Sequence, residues 1–416
     1  MNYVIVGNGP SGVVAAETLR KADPNGSIVL IGDEPEPPYS RMALPYMLVG
    51  NIQENGTYLR KEAGYFDKQH ITLKTGRVTR VDSSKKQVVL EDGQTLAYDC
   101  LLISTGSHPV APPIPGMDLP GIHPCWTLED ARNIAKLAKP GAKVLQMGAG
   151  FIGCIIMEAI RARGVQLTVV EMGNRMVPRM MTEVAGGMIK DWVQSKGVRV
   201  YTDTKVEAIE QGSNGTLRAK LGNGETLEVD LVISATGVRS NIAFLKDSGV
   251  QTDSGVLVND QMQSNIPEIY AAGDVAQARD FSTGKMVVNA IQPNAVDQAR
   301  VAALNMAGKP VNSPGSLAMN VLDTLGLIAA SFGQWWGDEG GEHVEQIDRE
   351  NFRYMRLEFK DDVLIGATSL GLTQHVGVLR GLIQTRTPLG EWKDKLLKDP
   401  TRIMEAYLAT AQAATI

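Results

Sequence analysis

Twice in this chain a run of β-forming residues ends in a GxGxxG turn and passes straight into a helical pattern, and no other feature restricts the fold so tightly. The first copy is Tyr3, Val4, Ile5 and Val6, then Gly7, Asn8, Gly9, Pro10, Ser11 and Gly12, then a helical stretch from Val13 to Ala22. The second is the strand Lys143 to Met147, then Gly148, Ala149, Gly150, Phe151, Ile152 and Gly153, then a helix from Cys154 to Arg163. Apolar runs without alternation belong to strands buried on both faces. In each turn the first glycine permits the bend, the second admits a pyrophosphate to the backbone, and the third lets helix and strand pack closely. Free N–H groups and the helix dipole attract the phosphates. Each copy is followed by a further strand that ends in acid: Ser27 to Ile31 before Asp33 and Glu34, and Gly164 to Val170 before Glu171. A carboxylate there suits a ribose hydroxyl pair, so the expectation is two dinucleotide sites. Glu171 favours NAD over NADP, with Arg175 as a nearby competing cation.

A chain of 416 residues exceeds what one core usually serves, and two or three domains are expected. Its formal charge of −5, with no long run of lysine and arginine, argues against a nucleic-acid partner. No stretch approaches about 18 uncharged apolar residues, so no membrane span is expected. The apolar start lacks a basic leader and reads as mature structure. Cys100, Cys125 and Cys154 are scattered, with no CxxC pair and too few thiols for an iron–sulfur cluster. They read as buried side chains of a cytoplasmic protein. His70, His108, His123, His343 and His375 lack metal-ligand spacing, and no metal site is expected.

Between the fingerprints, Glu34 to Tyr46 holds four prolines and reads as a fixed extended loop in which Arg41 is the one strong cation, expected either near a pyrophosphate or its ring system or as a solvated loop arginine. Thr72 to Val81 and Gln87 to Leu90 read as strands joined by tight turns, and Tyr98 to Ile103 as a buried strand ending in Ser104, Thr105 and Gly106. The proline-rich segment 109–120 is a stiff connector, and Thr127 opens a capped helix. Leu231 to Ser234 runs into Thr236 and Gly237. Further on, Gly273 would let a ligand approach the backbone, Asp274 could accept bonds from a polyol, and Pro293 begins a helix. The last hundred residues read as a separate domain of helices on a small sheet, in which the Trp335-Trp336 pair is expected to be buried.

GNGPSG at Gly7 to Gly12, STGSHP at Ser104 to Pro109, GAGFIG at Gly148 to Gly153, SATGVRSN at Ser234 to Asn241 and AAGDVA at Ala271 to Ala276 fall in an order that resembles the pyridine nucleotide–disulfide oxidoreductase superfamily. Within it the chain is similar to the rubredoxin and ferredoxin reductases, the NADH oxidases and the flavin domain of assimilatory nitrite reductase. The resemblance implies an α/β fold of two Rossmann-like domains plus a C-terminal α+β domain. An FAD domain at 1–112 and 241–312 would be interrupted by an NAD domain at 113–240 and followed by an interface domain at 313–416. It implies FAD contacts from Gly7, Gly9, Pro10, Ser11, Gly12, Asp33, Glu34, Arg41, Val78, Thr105, Gly106 and Asp274. NAD contacts fall on Gly148, Gly150, Phe151, Ile152, Gly153, Glu171 and Gly237.

Departures from the family shape the functional expectation. Thiol-bearing members keep a cysteine before the Ala43-Leu44-Pro45-Tyr46 run; this chain has Met42, which forms neither disulfide nor sulfenic acid. Ile155 stands where relatives place a glutamate near the nicotinamide, Ser240 replaces a proline, and Trp126 stands where an arginine is common. The expected activity is hydride transfer between nicotinamide and flavin, with no side chain as catalyst. Single electrons would pass to or from an iron–sulfur protein or subunit, in a hetero-oligomer or homodimer. The stretch Thr385 to Trp392 resembles the NADH-forming subunits of the phenylglyoxylate dehydrogenase type. A stand-alone NADH oxidase and a structural subunit with vestigial sites are the alternatives.

Overall fold

In the computed structural model, which describes residues 1–413, the chain divides into two compact units. The first comprises Met1–Ala43, Ile52–His108 and Val238–Leu317; the second comprises Leu44–Asn51, Pro109–Gly237 and the chain from Ala318 onward.

The first unit is built on a five-stranded parallel sheet in the order Ile269–Ala271, Cys100–Ile103, Asn2–Val6, Ser27–Gly32 and Ile71–Thr75. Its middle strand is the apolar run that precedes the first fingerprint, and Tyr3 to Val6 are all buried, as an unalternating strand requires. The helix Pro10–Ala22 packs on the helix Gln292–Met306, and the contact is lined by alanines, Ala15, Ala16, Ala299, Ala302 and Ala303, all fully buried. Small side chains there let the two backbones come close.

The second unit repeats the plan, with a parallel sheet in the order Arg199–Tyr201, Gln166–Val170, Lys143–Met147, Leu231–Ser234 and Ile122–His123. Thr127 caps the helix Leu128–Leu137 through a reciprocal pair of bonds with Asp130. The C-terminal part adds an antiparallel sheet in the order Met319–Thr324, Leu327–Gly333, Val363–Leu370, Arg353–Lys360 and Glu342–Asp348. The helices Val376–Thr385, Glu391–Lys398 and Ile403–Ala413 complete it. The indole N–H of Trp192, on the helix Glu183–Ser195, donates to the carbonyls of Thr324 and Leu325, and its ring meets Phe352 edge-on at 5.1 Å. Two parallel sheets, each carrying a glycine fingerprint, and a third, antiparallel sheet give the α/β architecture expected from the sequence.

Four local expectations are corrected. Residues of the proline-rich loop are helical: Arg41–Ala43 forms a 3-10 turn and Leu44–Val49 an α-helix. Pro45 sits in its first turn, where a missing N–H costs nothing. The fingerprint helices begin at Pro10 and Phe151, about a turn earlier than the side-chain pattern suggested, because Gly9 and Gly150 serve as N-caps in extended conformation. An edge strand, Glu342–Asp348, forms where the mostly polar side chains show no apolar alternation. Trp336 is 54% exposed, so the expected burial of the tryptophan pair fails for it; the two rings meet edge to face at 5.6 Å.

Candidate functional site

The two glycine turns can be compared atom by atom. Gly7 has φ +109°, and a Cβ on it would lie 2.1 Å from the Ser104 carbonyl oxygen; one on Gly12 would lie 1.9 Å from the Gly7 oxygen. Gly148 has φ +96° and would meet the Ala235 oxygen at 2.4 Å, and Gly153 would meet the Gly148 oxygen at 2.5 Å. In both turns, therefore, the outer glycines are required by packing. The middle glycines are different: a Cβ on Gly9 or Gly150 would find nothing within 4 Å. That space, in front of a helix start with no side-chain cap, is the shape a pyrophosphate needs. The N–H of Gly7 donates to Ile31 and that of Gly148 to Val170, both at 2.8 Å, which ties each turn to the strand leading to its carboxylates.

In the first unit, Asn8 lies against Gly32, and Gly76 donates to the Gly32 carbonyl at 2.8 Å, so Asp33 and the start of the strand Val78–Asp82 sit beside the first turn. Asp33 pairs with Arg77 at 3.2 Å. Glu34 accepts from Arg41 at 2.7 Å and from the Tyr39 hydroxyl at 2.6 Å. Val78 is buried at the start of its strand. On the other side, Ser11 donates to the Ala272 carbonyl, placing the turn Ala272-Gly273-Asp274 over the same helix start. Gly273, at φ +85°, is held by its N–H to Gln298 at 2.8 Å. Burial pushes the Asp274 carboxyl up, while a bond from the Ser107 hydroxyl at 3.0 Å and the Arg41 guanidinium push it down. Arg41 thus acts on both Glu34 and Asp274.

Thr105 and Gly106 are locked by Asn241: the Thr105 hydroxyl donates to the Asn241 carbonyl at 2.9 Å, the Asn241 amide donates to the Thr105 carbonyl at 2.8 Å, and the Asn241 N–H donates to Gly106. Ser240, a departure from the family, donates its hydroxyl to the Asp274 carbonyl at 2.7 Å. Ser107, Ser240, Asn241 and Gln298 are supporting residues that sequence reasoning missed as such. Ser107, Ser240 and Asn241 lie inside the quoted motifs, but the groups they hold are distant in sequence or not marked by the motif, and only the fold shows the pairing.

In the second unit Glu171 accepts from the Ala149 N–H at 2.7 Å and from the Gly173 N–H at 2.8 Å, so its carboxylate is aimed at the fingerprint. Arg175 is spent on its own loop, donating to the Met181 and Pro178 carbonyls and to Asn174. Gly237, at φ +125°, faces open space, and its carbonyl accepts from Val110. Phe151 and Ile152 open the helix Phe151–Ala162 and are half-buried. Beneath the turn, Gln146 donates to the Gly148 carbonyl at 2.9 Å, while its own Oε1 is buried without a hydrogen-bond partner. These residues fit a second dinucleotide.

All three cysteines are free and buried. Burial pushes the Cys100 thiol up to about 11 and those of Cys125 and Cys154 up to about 12. Among the described residues no group of three His, Cys, Asp or Glu could hold a metal, and no helix is long and apolar enough to cross a membrane.

Comparison with known proteins agrees with this geometry. The family model described as pyridine nucleotide-disulphide oxidoreductase matches residues 1–302. The epsilon subunit of the NADH-dependent phenylglyoxylate dehydrogenase of Aromatoleum evansii is 32% identical over 405 residues, covering 96% of both chains. The ferredoxin–NAD(+) reductase component of the 3-phenylpropionate/cinnamic acid dioxygenase of Photorhabdus laumondii is 32% identical over 385 residues, covering 92% of this chain and 95% of that one. Among solved structures, the covalent putidaredoxin reductase–putidaredoxin complex aligns with a TM-score of 0.90 at 25% identity, covering 99% of each chain.

Proposed function

We propose a function from one premise: the chain belongs to the pyridine nucleotide-disulphide oxidoreductase family, as an oxidoreductase that uses FAD and NAD(H). In our reading it is an NADH:acceptor reductase whose outside partner is an iron–sulfur protein or subunit. The observation that carries this is the pairing of two open phosphate cradles with thiols that are all buried. A family built around disulphide chemistry here has Met42 where thiol-bearing relatives keep a cysteine, so no dithiol stands ready to take two electrons.

When bound, FAD and NAD(H) supply the chemistry, hydride transfer between nicotinamide and flavin. The protein's part is orientation. We assign FAD to the turn Gly7, Gly9, Pro10, Ser11 and Gly12, with Asp33 and Glu34 for the ribose, Val78 for the base, and Arg41, Thr105, Gly106, Gly273 and Asp274 towards the ring system. NAD falls to Gly148, Gly150, Phe151, Ile152, Gly153, Glu171 and Gly237. The Ser107 and Ser240 bonds hold Asp274 and its backbone in place. Glu171 would repel the extra phosphate of NADP, and Arg175, tied to its loop carbonyls, is not poised to attract it.

The finer reading is a flavoprotein subunit of a cytoplasmic 2-oxoacid dehydrogenase complex. It rests on the likeness to the phenylglyoxylate dehydrogenase epsilon subunit over 96% of both chains. Anaerobic mixing of the FAD-loaded protein with NADH should bleach the flavin band near-stoichiometrically. An unchanged spectrum would reject the reading, and rapid aerobic NADH consumption with no partner would replace it with a stand-alone oxidase.

A further inference from the structure

The two fingerprints hold the carbonyl of their first glycine with different side chains. In the first, the Gly7 carbonyl accepts from the Ser104 hydroxyl at 2.9 Å. The residue equivalent to Ser104 in the second is Ala235: each donates its N–H at 2.8 Å to the residue just before the first glycine, Val6 or Met147, and each sets its own carbonyl against that glycine. Alanine has no hydroxyl to give. The Gly148 carbonyl accepts instead from the Nε2 of Gln146 at 2.9 Å, and the counterpart of Gln146 in the first copy is the fully buried Ile5. The two donors occupy matching places: a Cβ on Gly12 would lie 3.0 Å from Ser104 Oγ, and one on Gly153 would lie 3.0 Å from Gln146 Nε2.

The glutamine is an unfavourable way to do this. Gln146 is fully buried in the middle strand of its parallel sheet, and its Oε1 has no hydrogen-bond partner. A second unfavourable feature bears on the same turn. Val177 is buried and β-branched yet has φ +49°, a left-handed conformation such side chains rarely take, and its N–H donates to the Ala149 carbonyl at 2.8 Å. Gln146 thus fixes the plane of the Gly148–Ala149 peptide, and Val177 that of the next one. The carbonyl and N–H of a trans peptide point in opposite directions, so holding the Gly148 oxygen aims the Ala149 N–H at Glu171, which accepts it at 2.7 Å. Through one peptide Gln146 acts on both the pyrophosphate turn and the ribose carboxylate. Local features that oppose stability and converge on one turn are expected where function sets the geometry.

We propose that Gln146 is a positioning residue of the second dinucleotide site, setting NADH affinity and the preference for NADH over NADPH through the Gly148–Ala149 peptide without touching the dinucleotide. This rests on the assignment of NAD to that turn in the reading above. The test compares the FAD-loaded full chain with Gln146→Met and with Gln146→Met/Ala235→Ser, which gives the second turn the hydroxyl of the first. In anaerobic stopped-flow mixing, the NADH concentration that gives half the limiting rate of flavin bleaching should rise about tenfold in Gln146→Met, with the limiting rate itself within about twofold. The NADPH concentration read in the same way should rise less, so the preference for NADH narrows as Glu171 loses its aim. Gln146→Met should melt no lower than the unaltered protein, because methionine has a similar volume and leaves no orphaned oxygen. The double variant should regain NADH affinity and melt above the unaltered protein. An unchanged half-saturating NADH concentration in Gln146→Met overturns the proposal, and so does a loss of affinity that Ala235→Ser leaves uncorrected, the mark of a merely structural amide. If NADH leaves even the unaltered protein unbleached, the reading beneath the proposal falls first and takes it along.

Discussion

Gly9 and Gly150 have almost the same backbone angles, φ −70° with ψ −172° and φ −72° with ψ −173°, values any residue adopts. They are glycines for what lies in front of them rather than for their own conformation. Gly9→Val should therefore fold with a melting temperature close to that of the unaltered protein and yet purify without flavin. Gly150→Val should keep its flavin and lose bleaching by NADH. Gly148→Ala is the contrasting case: positive φ and a carbonyl oxygen 2.4 Å from the new Cβ should cost about 2–4 kcal/mol, read from urea unfolding. The thiols give a second expectation. A cysteine raised above its ordinary value of 9.0 is held neutral in the folded state, so unfolding releases its proton once the pH passes 9. The stability from Cys125 and Cys154 is whole below pH 9 and is lost as the pH climbs towards 12. Urea midpoints should be flat up to pH 9 and fall beyond it, and native protein at pH 8 should not react with Ellman's reagent.

Among the elements, the short helix Leu44–Val49 depends most on a distant side chain. Too short to be stable alone, it is held by burial of Leu44 and Leu48 and by the Arg163 bond to its last turn. Arg163→Ala should cost about 2 kcal/mol, with faster amide exchange confined largely to Tyr46–Val49. At the other end of the neighbouring helix, Thr127→Ala should cost about 1 kcal/mol by removing a capping box. These two helices show what the sequence makes legible. Thr127 and Asp130 announce a helix start in four residues, and each glycine fingerprint announces strand, turn and helix together. The helix at 44–49 is hidden by Pro45 and the three prolines before it, because proline reads as a breaker until one knows it falls in a first turn. The strand Glu342–Asp348 was hidden by an exposed edge, where no core selects an alternation. The open glycines and paired acids could be read from spacing alone. Their supports, Ser107, Ser240 and Asn241, could not, since only the folded chain brings them to Asp274 and Thr105.

Taken whole, the second unit joins its parallel sheet to the C-terminal sheet through Trp192, the Thr182 hydroxyl to Tyr354 bond at 2.8 Å, and packing of the second fingerprint helix on the strand Met319–Thr324. Limited proteolysis should not release the segment beyond Ala318 as a stable fragment while this unit is native; Trp192→Ala, at a cost of about 3 kcal/mol, should make its release detectable by mass. The first unit raises a question of timing. Its sheet is completed by Ile269–Ala271, which pairs with Cys100–Ile103 although the whole inserted segment is made in between. At ordinary rates of translation the ribosome needs roughly ten to thirty seconds to cover that gap. Throughout it, the flank of Cys100–Ile103 is a bare row of peptide groups open to any passing strand. A newborn chain of this design is vulnerable along that flank until Ile269–Ala271 is made, and a chaperone bound there would shield it over the interval.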